Sequence, residues 1–187
     1  MGNSSHNESK EKRLKRFQDG HPVEIIENLL NSIDNYVNNE IFLTINRGSY
    51  QPSLLFFGIH SVALTISEAF FDKKGERGYK LFLEKFVDGD TRDKKFSEIA
   101  HEIHNWRNVL AHQWLASSGH KIGYDYKMNL GWEKINGVTY INPKIYCNQY
   151  LDTFRSDNGR IWNYKNLFDD GELENVKNRL IKKYLEK

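Results

Sequence analysis

Apolar side chains recur at steps of three and four along the first third of the chain. They predict one face of a long helix that begins near Pro22, a favoured first-turn residue. The segment Arg47-Gly48-Ser49 is expected to end it, because glycine after a basic last turn is a helix stop signal. The stripe consists of Val23, Ile26, Leu30, Ile33, Val37, Ile41 and Ile45.

A second helix is predicted from Pro52 to about Phe71. Its apolar residues cover nearly every direction around the helix axis instead of one face. Such a helix lies at the centre of a helical protein or is shared with a partner. His60 lies within it; a buried structural histidine is the favoured interpretation, and a ligand or catalytic role is the alternative.

The pattern near the middle of the chain is typical of a β-hairpin. Asn136-Gly137 separates two apolar-rich arms, residues 130–135 and 138–141, and both turn residues favour positive φ. Residues 121–128 are a candidate third strand. Asn142-Pro143 then predicts a helix N-terminus. Farther on, the chain is expected to be irregular over 155–168 and helical over about 170–186.

Together these elements predict a mainly α protein with one domain over residues 20–187. A helical core would cover residues 20–118, and the hairpin with the C-terminal helices would cover residues 119–187. Residues 1–19 are polar and are predicted to form a disordered basic arm. The basic cluster in this arm is better explained as a solvated tail than as an auxiliary phosphate contact.

Charge and composition restrict the function and the location. The 187 residues carry a net charge of only +2, so any nucleic-acid surface must be local. Cys147 is the single cysteine and cannot form an internal disulfide. No apolar run approaches the roughly 20 residues that a membrane span needs, and the polar N-terminus is not expected to be a signal peptide. We therefore expect a cytoplasmic protein without membrane contact.

The most informative segment is a long helix predicted over about residues 93–116, which follows a short helix over about 76–87 and a break at 88–91. Apolar residues on one face form its core side. A second face is polar but almost uncharged, which is unusual for a surface that meets only solvent. The core face consists of Ile99, Ile103, Trp106 and Leu110, and the polar face of His101, His104 or Asn105, Asn108 and His112.

Within this helix, Arg107, Asn108 and His112 supply the groups that phosphodiester chemistry needs. Asn108 and His112 are four residues apart and are therefore neighbours on the helix surface. Arginine offers a fork of donors to phosphate oxygens, and histidine exchanges a proton near neutral pH. RNA supplies its own 2′-hydroxyl nucleophile, so neither a metal nor another cofactor is expected.

The sequence Arg107-Asn108-Val109-Leu110-Ala111-His112 resembles the signature of the HEPN superfamily, in which Arg is followed by a polar residue and, after four to six residues, by His. The resemblance covers roughly residues 22–116. It implies an antiparallel helical bundle and, in many members, a metal-independent endoribonuclease of toxin–antitoxin or other defence systems. Gln113-Trp114 stands where some active relatives have a His-x-Tyr ending.

The resemblance also implies roles for these residues and partners for the chain. Arg107 would hold the scissile phosphate, His112 would act on the 2′-hydroxyl or the leaving oxygen, and Asn108 would position them. Two chains would form a homodimer with a composite site, and an antitoxin or another protein could bind. Many superfamily members bind without cutting, so the alternative is a non-catalytic module that binds RNA or a protein partner.

Other candidates and simpler interpretations stand beside this one. His104, Lys121 and Lys127 are candidate substrate-binding residues. Arg107 and His112 could instead cap buried polar groups or pair with Glu98 or Glu102. Three histidines of the polar face have poor spacing for a metal cage, so no metal is expected. The hairpin aromatics could stack RNA bases, but packing on the helices is favoured; they are Tyr124, Tyr126, Trp132 and Tyr140.

Overall fold

A mainly α architecture with a small sheet is confirmed by the computed structural model of the protein. The structure describes residues 9–42, 52–89, 93–113, 122–156 and 158–184, without the side chains of 10, 41, 42, 52, 110–113 and 184. Its α-helices are α1 (Lys10–Asp19), α2 (Pro22–Tyr36), α3 (Pro52–Phe71), α4 (Gly75–Phe82), α5 (Ala100–Gln113), α6 (Pro143–Phe154) and α7 (Asp170–Tyr184). Its strands are β1 (Ile122–Tyr124), β2 (Trp132–Ile135) and β3 (Val138–Ile141).

Short non-α turns extend or connect several helices. A π-helical turn, Val37–Phe42, continues α2, and another, Leu83–Val87, continues α4. The stripe predicted to reach Ile45 is therefore helical as far as Phe42, and residues 43–51 lie outside the described residues. A 3₁₀ turn covers Arg160–Asn166, so the prediction of irregular structure over 155–168 was wrong for this part.

The prediction that residues 1–19 form a disordered arm was wrong for residues 10–19, which form helix α1. Residues 1–8 lie outside the described residues. The Ser9 side chain accepts a hydrogen bond from the Lys12 backbone N–H at 3.3 Å, which caps the helix. At its other end, Lys177 of α7 donates to the carbonyls of Gln18 at 3.0 Å and Gly20 at 3.1 Å. The sequence pattern missed α1 because its partner lies about 160 residues away in the chain.

Replacing the buried Lys177 should loosen α1. Lys177 is 6% exposed, and Lys177→Met keeps its apolar stem while it leaves two carbonyls without their donor. We expect a loss of about 1–3 kcal/mol in the free energy of unfolding and faster amide hydrogen exchange within α1. Exposed Lys182 on the same helix offers the control Lys182→Met, which should change neither. Unchanged exchange in α1 would contradict this role of Lys177.

Helix α3 is the central helix, as its all-round apolar pattern predicted. It contacts α4, α5, α6 and α7, and its buried residues join the single core cluster described for the chain. The segment Ser53–Phe71 has a mean hydropathy of 1.7 and is, by length and composition, apolar enough to cross a membrane, contrary to the sequence expectation. Half of it is buried inside the protein, and core helices of soluble proteins have the same composition.

A buried aspartate connects α4 to α5. Asp88 is 1% exposed, and its carboxylate accepts from the backbone N–H groups of Phe96 at 2.7 Å and Ser97 at 3.1 Å. These two residues open a 3₁₀ turn, Phe96–Ile99, that leads into α5. The predicted long helix over 93–116 therefore starts as a 3₁₀ turn at Phe96 and is α-helical only from Ala100.

The predicted hairpin is confirmed. Strands β2 and β3 pair antiparallel with Ile135 opposite Val138, and the turn residues Asn136 and Gly137 have φ values of 51° and 76°. Strand β1 adds to β3 in parallel, giving the order β1-β3-β2. Helix α6 begins as predicted, because the Asn142 side chain accepts from the backbone N–H groups of the next turn.

The C-terminal segment shares the core of the N-terminal helices. Tyr146 of α6 stacks on Phe56 of α3, with ring centroids 4.8 Å apart, and contacts Phe96 edge-on at 4.6 Å. Its hydroxyl lies 2.5 Å from that of Tyr79 in α4. Aromatic contacts of this kind stabilise beyond the area they bury. Helix α6 therefore helps to fix α3 and α5, which carry the candidate site.

Candidate functional site

Helix α5 is held in place by the apolar face that the sequence predicted. Ile99, Ile103 and Trp106 are buried, and the side chain of Leu110 lies outside the described residues. The Trp106 ring packs edge-on against Phe56 at 5.4 Å. This anchoring fixes the rotation of α5 about its axis, so the polar residues between the buried positions must face neighbouring helices or solvent.

The polar face divides into two separate networks. In the first, the His101 Nδ1 lies 2.8 Å from the Glu76 carboxylate at the start of α4, and Asn105 Nδ2 lies 2.7 Å from His101 Nε2. The amide NH₂ can only donate, so His101 carries its ring proton on Nδ1 and donates it to Glu76. His101 is exposed. This network joins α5 to α4 and is a surface feature.

The second network points inward and brings His104 together with His60 of α3. His60 Nε2 lies 3.0 Å from His104 Nδ1, and His60 is fully buried. Burial, reinforced by the nearby His104 and Arg107, lowers the pKa of His60 to about 3. His60 is therefore neutral at physiological pH. The centre of the Tyr79 ring lies 4.3 Å from the centre of the His60 imidazole, and the two rings pack against each other.

His104 is half-buried and is also kept neutral. Burial is the main cause that lowers its pKa, and Glu76 opposes it. Arg107 and His101 lower the pKa further by charge repulsion. His104 lies one helical turn before Arg107 and Asn108 in α5. This candidate substrate-binding residue is therefore on the same side of the helix as Arg107 and Asn108.

Arg107 is half-buried and has a neutral environment. Its Nη1 donates to Asn108 Oδ1 at 3.1 Å, and its guanidinium lies 5.0 Å from the centre of the Phe57 ring. Arg107 Nε is buried without a hydrogen-bond partner among the described residues. Glu102, one alternative ion-pair partner, is bound instead to Lys134 at 2.6 Å.

No carboxylate of the described residues pairs with Arg107, Glu98 included. A half-buried cation without a counterion is costly unless an anion can approach it. The arrangement around Arg107 therefore suits an anionic group with two or more oxygens, because the guanidinium offers a planar fork of donors.

Three candidates remain, and Lys127 is the one whose side chain the structure describes. His112 lies in the last turn of α5, four residues after Asn108, but its side chain lies outside the described residues, as does the whole of Lys121. Lys127 is exposed in the turn after β1, where its backbone N–H donates to Asp125 at 2.8 Å. Within the described ranges, no contact joins Lys127 to Arg107 or His104.

The hairpin aromatics mainly pack, which confirms the favoured interpretation for Tyr124 and Trp132. The Tyr124 ring lies 5.2 Å from Trp106, and Trp132 is 7% exposed with its Nε1 donating to the Lys95 carbonyl. Tyr140 is half-buried in β3, and Tyr126 is 43% exposed. Of these four rings, Tyr126 is the one most open to an incoming ligand.

Two residues of the site come from α3: Phe57, which was not a sequence candidate, and His60, for which a ligand or catalytic role was only the alternative. Phe57 provides the surface under Arg107, and His60 provides the contact to His104. The interruption of an apolar helix by His60 was the available signal, and the structural interpretation of that residue was favoured. The described residues contain no group of three His, Cys, Asp or Glu side chains that could hold a metal ion.

Comparison with known proteins finds no matching family model, no matching curated protein and no matching solved structure.

Proposed function

We propose that the protein is a metal-independent endoribonuclease of the HEPN type that acts as a homodimer in the cytoplasm. The observation that carries the proposal is Arg107, a half-buried guanidinium with no carboxylate partner in the described structure and with Asn108 as its fixed neighbour. Such a group binds phosphate. Cleavage of cellular or invading RNA would suit a toxin or defence role, with an antitoxin as a further partner.

In this proposal, Arg107 binds the non-bridging oxygens of the scissile phosphate and Asn108 orients the guanidinium. His112 takes the proton from the 2′-hydroxyl, whose oxygen then attacks the adjacent phosphorus. The bond from phosphorus to the 5′-oxygen breaks, and the leaving oxygen takes a proton from the protonated histidine of the composite site. The products are a 2′,3′-cyclic phosphate and a 5′-hydroxyl. His104 would contact the RNA at the phosphate bound by Arg107, and Lys121 and Lys127 would contact the flanking RNA less directly.

A second candidate function is a non-catalytic module that binds RNA or a protein through the same face. Phe57, whose ring lies under Arg107, and Leu54, one turn earlier on α3, favour it, because they are 38% and 48% exposed. Exposed apolar side chains that cluster on a surface are common at protein interfaces. The two functions differ in what they need from His112. A binding module loses affinity in Arg107→Ala but keeps it in His112→Ala.

The decisive experiment incubates wild-type protein and His112→Ala with a mixed RNA pool in EDTA and separates the products on a denaturing gel. We expect fragments with cyclic-phosphate ends from the wild type and a decrease of at least about 100-fold in the mutant. Products with 5′-phosphate ends, or a need for added metal, would refute the mechanism. Intact RNA that is nevertheless bound by both proteins would favour the binding module.

A further inference from the structure

The contact between His60 and His104 leaves one ring nitrogen without a partner. His60 Nδ1 is buried and has no hydrogen-bond partner among the described residues, whereas His60 Nε2 lies 3.0 Å from His104 Nδ1. Only one nitrogen of each neutral imidazole carries a proton, so two arrangements are possible. They differ in whether the buried Nδ1 of His60 is left as a bare acceptor or as an unpaired N–H donor.

The arrangement with a bare acceptor is the more stable of the two. Unpaired N–H donors are rare in protein interiors, and unpaired acceptors are better tolerated. His60 therefore carries its proton on Nε2 and donates it to His104 Nδ1. His104 must then carry its own proton on Nε2, the nitrogen for which the described residues provide no partner.

We infer that His60 is a positioning residue that fixes His104 in the neutral form with its proton on Nε2, so that His104 donates a hydrogen bond to the phosphate bound at Arg107. This inference rests on the proposed function. The fixed tautomer makes His104 a donor and excludes it as the proton acceptor for the 2′-hydroxyl, because Nδ1 is occupied by His60. Proton transfer is thereby left to His112.

The groups around the two histidines keep His104 neutral, with its proton on Nε2, over the physiological pH range. His60 faces Tyr79 of α4 and His104 and Arg107 of α5. His104 faces His60 of α3, Glu76 of α4, and Arg107 and His101 on its own helix. Protonation of His104 would have to occur at Nδ1, and it would break the bond from His60 or force a proton onto the buried His60 Nδ1.

The first test is a nuclear magnetic resonance measurement on the full chain labelled with ¹⁵N at histidine. Long-range proton–nitrogen spectra report which ring nitrogen carries the proton, and His104→Gln assigns the signals. At pH 7 we expect the Nε2–H form for both His60 and His104. An Nδ1–H form of His104 in the wild-type protein would overturn the inference. This measurement needs neither RNA nor a folded His60 variant.

The second test compares two substitutions in the RNA assay. His60→Phe keeps an aromatic ring beside Tyr79 but removes the donor, whereas His60→Gln keeps an N–H that can reach His104. We expect the cleavage rate to fall about three- to tenfold in His60→Phe and to stay within about twofold in His60→Gln. His104 in His60→Phe should show both tautomers.

Each result can be assigned to one of the two proposals. Equal cleavage by wild type and a folded His60→Phe would overturn the positioning role while cleavage itself persists. Absence of cleavage in the wild type would refute the proposed function, whereas the wild-type tautomer would still decide whether His60 fixes His104. A decrease in both substitutions, with His104 remaining in the Nε2–H form, would indicate a packing role and would also overturn the positioning role.

Discussion

Arg107→Ala should reduce RNA cleavage by at least about 100-fold, because in the proposed mechanism it removes the charged group that binds the scissile phosphate. The described structure offers no other cation in contact with Asn108 and Phe57, so no neighbour can replace the lost guanidinium. Arg107→Lys should recover only part of the rate, since an ammonium group keeps the charge but cannot offer the planar pair of donors. Initial rates on one labelled RNA would measure both effects.

Arg77→Ala is the matched control for this experiment. Arg77 is exposed on α4, so its removal changes the net charge by the same amount without touching the α5 cluster. We expect its rate to stay within about twofold of the wild type, apart from a uniform salt-dependent loss of RNA affinity. Equal losses in Arg77→Ala and Arg107→Ala would show that general charge matters, and the phosphate-binding role of Arg107 would not survive.

The sequence predicted best those elements whose signals are local. Helix α3 has its predicted limits because Pro52 favours the first turn and the apolar run defines the rest. The hairpin has its predicted turn because Asn136 and Gly137 both accept positive φ. Helix α6 begins where Asn142 caps it. In each case, residues within a few positions of one another determine the backbone conformation.

Elements that depend on distant partners were missed or misplaced. Helix α1 has few apolar residues. Its C-terminal end is held by the buried Lys177, which is 6% exposed and donates hydrogen bonds to two carbonyls at that end. The start of α5 was placed too early because Asp88 was interpreted only as part of a break. Its two hydrogen bonds across the break cannot be recognised from spacing, since aspartate is equally common in exposed turns.

The candidate site was likewise predicted where its contacts are local and missed where they come from a distant helix. Arg107 and Asn108 are adjacent in the chain, and their contact follows from helical geometry and side-chain length. His60 and Phe57 reach α5 from a helix about 45–50 residues earlier, so no periodicity within α5 could have indicated them. The polar face of α5 was predicted as one surface. In the structure, His101 contacts Glu76 of α4, whereas His104 contacts His60 of α3.

Asp88 is expected to have the largest effect on stability among the polar residues that position α5. Asp88→Ala leaves the buried N–H groups of Phe96 and Ser97 without acceptors. Each unpaired buried donor costs about 1–3 kcal/mol, so the free energy of unfolding should fall by about 2–4 kcal/mol. Asp88→Asn keeps the shape and one acceptor oxygen and should lose roughly half as much. Urea unfolding curves with a common slope would give these values.

The structural reason for this effect also predicts where the protein should loosen. The Asp88 carboxylate lies at the N-terminal end of the turn that leads into α5, where negative charge is favourable. Its removal should accelerate amide hydrogen exchange over residues 96–103 before it affects α3 or α7. Asp152→Ala is the control, because Asp152 is exposed and pairs only with Arg155 in the described structure, at 3.6 Å. A loss below about 1 kcal/mol in Asp88→Ala would mean that water replaces the carboxylate, and the start of α5 would then depend on its apolar anchors alone.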